Sequence, residues 1–163
     1  MYKNILLPTD GLGKCAYGTC HGVIIAKSLG AKITAVHITE KLSAKEILEM
    51  YKPEVLFSPS DAKKAKEAMF QMEEAHKELA SKALEVAEKM CKEVGVPCET
   101  VHLAGKSPVD GILQVANEKG CDLIFISTHG NPGIMGTLFG TLATKIMTHS
   151  KYPVLVHYCG GPS

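Results

Sequence analysis

Five short apolar runs alternate along this chain with stretches of helical periodicity, and that alternation constrains its fold more than any other feature. Asn4–Pro8, Ile33–Ile38, Cys98–Leu103, Asp122–Ser127 and Val154–Tyr158 read as strands, being short, apolar and mostly rich in β-branched residues. Continuous apolar runs of this kind suit strands buried on both faces. Between them, Cys20–Leu29 keeps rough helical spacing and stops at Gly30, a natural C-cap. From Asp61 to Gly95, apolar residues Ala65, Met69, Met72, Leu79, Ala83, Val86 and Met90 step by three, four or seven and predict one face of a long helix. Ser107-Pro108 opens a further helix that ends at Gly120, and another is expected over about Leu138–His149. Ser43-Ala44-Lys45-Glu46 has the form of a capping box, which predicts a short helix over Ala44–Tyr51. Strands alternating with helices imply parallel neighbours and right-handed crossovers. The expected fold class is therefore α/β, a three-layer sandwich with helices on both faces of a parallel sheet.

The chain is long enough for one such domain, at 163 residues with 45% hydrophobic and 21% charged. We expect a single domain over 1–159 and a frayed tail over 160–163. The apolar runs are far shorter than the ~18 residues a membrane span needs. The opening Met1-Tyr2-Lys3-Asn4-Ile5-Leu6-Leu7-Pro8 is also too short for a signal peptide, so a cytoplasmic protein with no membrane partner is expected. Eighteen basic residues balance seventeen acidic ones, and every basic residue is lysine. Without arginine the chain lacks the bidentate fork used for phosphate and guanine, and nucleic acid is not an expected partner. Cys15, Cys20, Cys91, Cys98, Cys121 and Cys159 show no Cys-x-x-Cys pair and no Cys/His cluster with the close spacing of a structural zinc site. They read as buried reduced thiols, and no metal site is assigned. His37, His102 and His157 fall late in predicted strands and read as core or strand-end residues.

Two loops carry the chemistry. In a doubly wound sheet the ligand lies beyond the carboxyl ends of the strands, where strand order reverses. After the first strand comes Pro8-Thr9-Asp10-Gly11. Asp10 can accept hydrogen bonds from ribose hydroxyls, or it can simply cap the next helix or shape the turn. After the fourth strand, the stretch Ser127 to Thr141 contains Gly130, Gly133, Gly136 and Gly140. Such a loop brings backbone N–H groups to an anion without a Cβ in the way, and it leads into a helix N-terminus that favours phosphate. It is neither a Walker loop nor Gly-x-Gly-x-x-Gly, and a ligand-free surface loop is the alternative.

At these residues the chain resembles the universal stress protein family over essentially its whole length. The resemblance rests on Asn4-Ile5-Leu6-Leu7-Pro8-Thr9-Asp10-Gly11, Ala35-Val36-His37-Ile38, Cys121-Asp122-Leu123-Ile124-Phe125-Ile126 and Lys151-Tyr152-Pro153-Val154-Leu155-Val156. It implies a Rossmann-like, adenine nucleotide alpha hydrolase-like fold with a five-stranded parallel sheet in the order 3-2-1-4-5. It also implies a homodimer through the last strand, and it makes residues 39–75 a variable insertion. The ATP-binding branch of the family carries Gly-x2-Gly-x9-Gly-Ser/Thr. Here Gly130, Gly140 and Thr141 fit the second half, while Ser127 replaces the first glycine, with Thr128 and His129 as spacers.

By the same resemblance, Pro8, Thr9 and Asp10 would meet the nucleoside, Ile38 and Ile126 would lie at the adenine, and Ser127, His129, Gly130, Gly140 and Thr141 would lie along the phosphates. The expectation is a stress-response protein that binds ATP, with magnesium as its accompanying ion. Two alternatives remain beside it, a nucleotide-free dimeric interaction protein and a slow ATPase. Phosphoryl transfer needs a metal clamp and charge neutralisation. The loop holds neither an acidic residue nor an arginine, so no catalytic residue is assigned.

Overall fold

The computed structural model describes residues 1–10, 16–40, 59–128 and 141–159. Its elements are β1 (Asn4–Pro8), α1 (Ala16–Leu29), β2 (Lys32–Thr39), α2 (Pro59–Val94), β3 (Cys98–Ala104), α3 (Pro108–Glu118), β4 (Leu123–Thr128), α4 (Thr141–His149) and β5 (Val154–Tyr158). The five strands form one parallel sheet in the order β3-β2-β1-β4-β5, as the family resemblance implies. The capping-box helix expected over Ala44–Tyr51 lies outside the described residues, as do 41–58 of the expected insertion.

β1 is central and buried on both faces, which is why Ile5, Leu6 and Leu7 show no polar alternation. Ile5 and Leu7 join Ile33, Ala35, Leu123 and Phe125 beneath α1 and α2. Leu6 joins Val36, Ile124 and Ile126 beneath α3 and α4. These are the two cores of a three-layer sandwich. α1 approaches its face closely. A Cβ added at Gly22 would lie 2.8 Å from Leu7 Cδ1, and one at Gly18 would lie 2.2 Å from Ser127 Cβ. At their C-termini α1, α2 and α3 share one device. Gly95 (φ 76°) donates from N to Lys92 O, and Val96 N donates to Cys91 O. This is the paired closure of a Schellman cap, repeated after α1 at Gly30 and Ala31 and after α3 at Gly120 and Cys121.

The amino ends of the strands are held by a polar clamp. The Asp122 carboxylate accepts from Lys3 N at 2.8 Å and Asn4 N at 3.0 Å. Buried Thr34 Oγ1 donates to Asn4 Oδ1, and Asn4 Nδ2 donates to Lys119 O. Burying these groups is tolerated because each has a partner.

α2 keeps only part of the face predicted for it: Ala83 is buried and Met90 packs against the core. The residues buried against the sheet are Ala80, Ala83, Leu84, Ala87 and Cys91. Leu79 and Val86 remain 38% and 47% exposed. Small side chains let the helix axis come close to the sheet, so the contacting stripe is built on alanines, while the periodicity argument weighted the larger residues.

Candidate functional site

The carboxyl ends of β1, β2 and β4 open onto a cleft of about 500 Å³, a usual size for a small-molecule site. β1 sits at the switch point of the sheet. The chain leaves it for β2 on one side, and β4 pairs with it on the other. The turn after β1 is pinned there: Thr9 N donates to Val36 O at 2.9 Å, and His37 Nδ1 donates to Thr9 O at 2.8 Å. Pro8, Thr9 and Asp10 therefore stand at the cleft mouth, with Asp10 exposed.

Ile38 forms an apolar wall opposite Ile126, and both line the cleft. Its side chain is seated against α3, where a Cβ on Gly111 would lie 2.8 Å from Ile38 Cδ1. Ser127 also borders the cleft. Strand alternation nevertheless puts it on the same face as Leu123 and Phe125, toward α1, where its Cβ meets Gly18. Gly18 marks where that side chain goes. Thr141 begins α4, and its neighbour Leu142 reaches the cleft. His129, Gly130 and Gly140 lie outside the described residues.

Several lining residues escaped the sequence reading. His37 is 6% exposed and borders the cleft as well as holding the β1 turn. Its ring lies 6.0 Å from that of His102, whose Nε2 is 2.9 Å from Thr39 Oγ1. Burial, and then the neighbouring His37, hold the His102 imidazole below its ordinary value. From α2, His76 and Leu79 complete the wall facing α3. One turn apart on a helix far along the chain, they carry no local signal of a role. The only trace is that both fall on the helix face below the alanine stripe.

The cleft is chemically two-sided. Its walls are apolar at Ile38, Leu79 and Ile126, and its polar rim carries the Asp10 and Glu40 carboxylates. No lysine is among the described lining residues. Such a surface suits a flat apolar group bearing neutral hydroxyls rather than a bare anion. Among the described residues no three His, Cys, Asp or Glu side chains are grouped to hold a metal, and no helix is long and apolar enough to cross a membrane.

Comparison with known proteins decides the family. The sequence model of the Universal stress protein family matches residues 1–157. The chain belongs to that family. The universal stress protein MJ0531 of Methanocaldococcus jannaschii is 30% identical over 156 residues, spanning 96% of this chain and 82% of the relative. The fold also matches the solved structure of the protein MJ0577, with a TM-score of 0.71 and 23% identity over 100% and 99% of the two chains.

Two further family structures hold adenine nucleotides. A universal stress protein in complex with cAMP gives a TM-score of 0.63 at 20% identity, over 98% of each chain. The Archaeoglobus fulgidus protein in complex with dAMP gives 0.59 at 19%, over 95% of this chain and 97% of its own. At these identities they share the fold with the present chain.

Proposed function

We propose that this universal stress protein is a nucleotide-binding regulatory protein that takes ATP at the β1/β4 switch point and works as a homodimer. The observation that carries the reading is the cleft, because six of the ten residues singled out in the sequence line it: Pro8, Thr9, Asp10, Ile38, Ile126 and Ser127. Family structures holding cAMP and dAMP support it further.

On this reading, Ile38 and Ile126 sandwich the base edge-on, and Asp10 accepts from the ribose hydroxyls in charge-assisted bonds. Acidic Asp10 and Glu40 would repel phosphates from the cleft itself. By the family resemblance, the phosphates would be taken by Gly130, Gly140 and Thr141 through backbone amides. No three acidic or histidine side chains are grouped for a metal among the described residues. A magnesium ion would accompany the phosphates, with Asp10 and Glu40 the carboxylates among the described lining residues. The last strand, at the sheet edge, offers its unpaired backbone groups to a second copy.

A thermal-shift series with adenosine, AMP, ADP and ATP tests the reading. Stabilisation follows ligand concentration over Kd, so the series should give saturating shifts that grow from adenosine to ATP. The absence of any shift at millimolar ligand would replace this function with that of a nucleotide-free interaction protein.

A further inference from the structure

Cys91 lies in the last turn of α2 and Cys98 is the first residue of β3. The cap between them brings their side chains together. In a Schellman closure the residue donating the outer hydrogen bond packs on the residue that accepts it, here Val96 on Cys91. Two residues further along an extended chain the side chain returns to the same face, and that residue is Cys98. Both thiols belong to one apolar cluster, with Cys91 fully buried and Cys98 half-buried on an edge strand.

We propose that Cys91 and Cys98 form a peroxide-oxidisable thiol pair, closing to an intramolecular disulfide that ties the end of α2 to the start of β3. The two sulfurs divide the work. The neighbouring Cys91 thiol holds Cys98 below its ordinary thiol value against the opposing effect of burial, and the Cys98 S–H itself donates to Glu99 O at 3.9 Å. The contact between the two thiols, with burial adding to it, pushes Cys91 far up. Burial raises Cys121 and Cys159. A half-buried thiol whose pKa is lowered, beside a second thiol able to resolve it, is the arrangement that oxidants select.

The Cys98 thiolate attacks hydrogen peroxide. An S–O bond forms, the O–O bond breaks, and the departing hydroxide takes up a proton as water. Cys98 is left as sulfenic acid, two electrons oxidised. The Cys91 sulfur then attacks the Cys98 sulfur, the S–S bond forms, the S–O bond breaks, and the hydroxyl leaves with the Cys91 proton as a second water. In sum, two thiols and one peroxide yield one disulfide and two waters.

The test uses the reduced full chain, treated with near-stoichiometric hydrogen peroxide and then alkylated with N-ethylmaleimide in denaturant. The expected product carries two fewer maleimides, and the protein before alkylation is two hydrogens lighter. Trypsin cuts after Lys89, Lys92 and Lys106, which separates the two cysteines, so a disulfide-linked pair of peptides should appear. Cys98 should lose its reactivity to alkylation at least about tenfold faster than Cys121. Cys98→Ser should abolish the linked pair, and Cys91→Ala should let dimedone trap the Cys98 sulfenic acid. If Cys91→Ala does not fold, Cys98→Ser carries the comparison. Recovery of both peptides fully alkylated, or a disulfide mapped to any other partner, would overturn the pair.

Discussion

Ser127 and Gly18 act as a matched pair: one strand residue carries a side chain because the helix residue above it has none. A Cβ at Gly18 would stand 2.2 Å from Ser127 Cβ and 2.5 Å from its Oγ. Gly18→Ala should therefore overpack the α1–β4 contact and cost about 1–3 kcal/mol in urea unfolding. Adding Ser127→Gly should recover most of that loss, giving strong coupling in a double-mutant cycle. Additive losses would mean that the two side chains do not meet. Asp10 is the residue on which the nucleotide reading leans hardest. Asp10→Ala should leave the unfolding midpoint nearly unchanged while removing a charge-assisted bond worth about 1.5–3 kcal/mol, seen by calorimetry as a roughly 10–150-fold weaker ATP affinity. Equal affinity in parent and variant would reduce Asp10 to a turn residue.

The strands and caps behave as independent elements with their own tests. Gly95 holds φ 76° at the end of α2, so Gly95→Ala should cost about 1–2 kcal/mol through the left-handed backbone it must keep. Unchanged stability would show that the cap relaxes into another closure. β5 needs a more careful probe. Leu155 packs into the α1-side core and Val154 and Val156 into the other, so charging any of them would damage the fold instead of the edge. Cys159 N donates inward to Thr128 O. By strand alternation the Tyr158 N–H then points outward, and Tyr158 itself is 45% exposed. Tyr158→Pro should spare the β4 ladder while removing an outward donor, shifting light-scattering mass toward monomer. A mass that stays dimeric would move the interface away from this edge, and a monomeric parent would end the dimer proposal.

For the molecule as a whole, acid should be destabilising through its histidines. Burial, and then the neighbouring histidine, depress His102, and His157 is held down by burial and by His21, with which it stacks at 4.3 Å. Each folded-state value lies below the unfolded one near 6.5. The unfolded chain therefore binds more protons as pH falls through about 6.5, and folding stability drops from there downward. The midpoint of thermal unfolding should decline between about pH 7 and 5, and His157→Gln should flatten that decline. A pH-independent midpoint over this range would count against both assignments.

How much of this was legible in advance differs by level. The order of strands and helices, the glycine caps and Pro108 at the start of α3 could be read from the chain, because periodicity and capping are set by residues within a few positions of one another. The turn after β1 was also legible, since Pro8-Thr9-Asp10 follows a strongly apolar run and lines the cleft. The direction of the Ser127 side chain, the alanine face of α2, and the arrival of His76 and Leu79 at the cleft were not. The meeting of Cys91 with Cys98 was not seen either, although its parts lay close in sequence. Each of these depends on how near two packed elements come. That separation follows from the volumes of all the side chains between them at once, a quantity no local stretch of sequence carries.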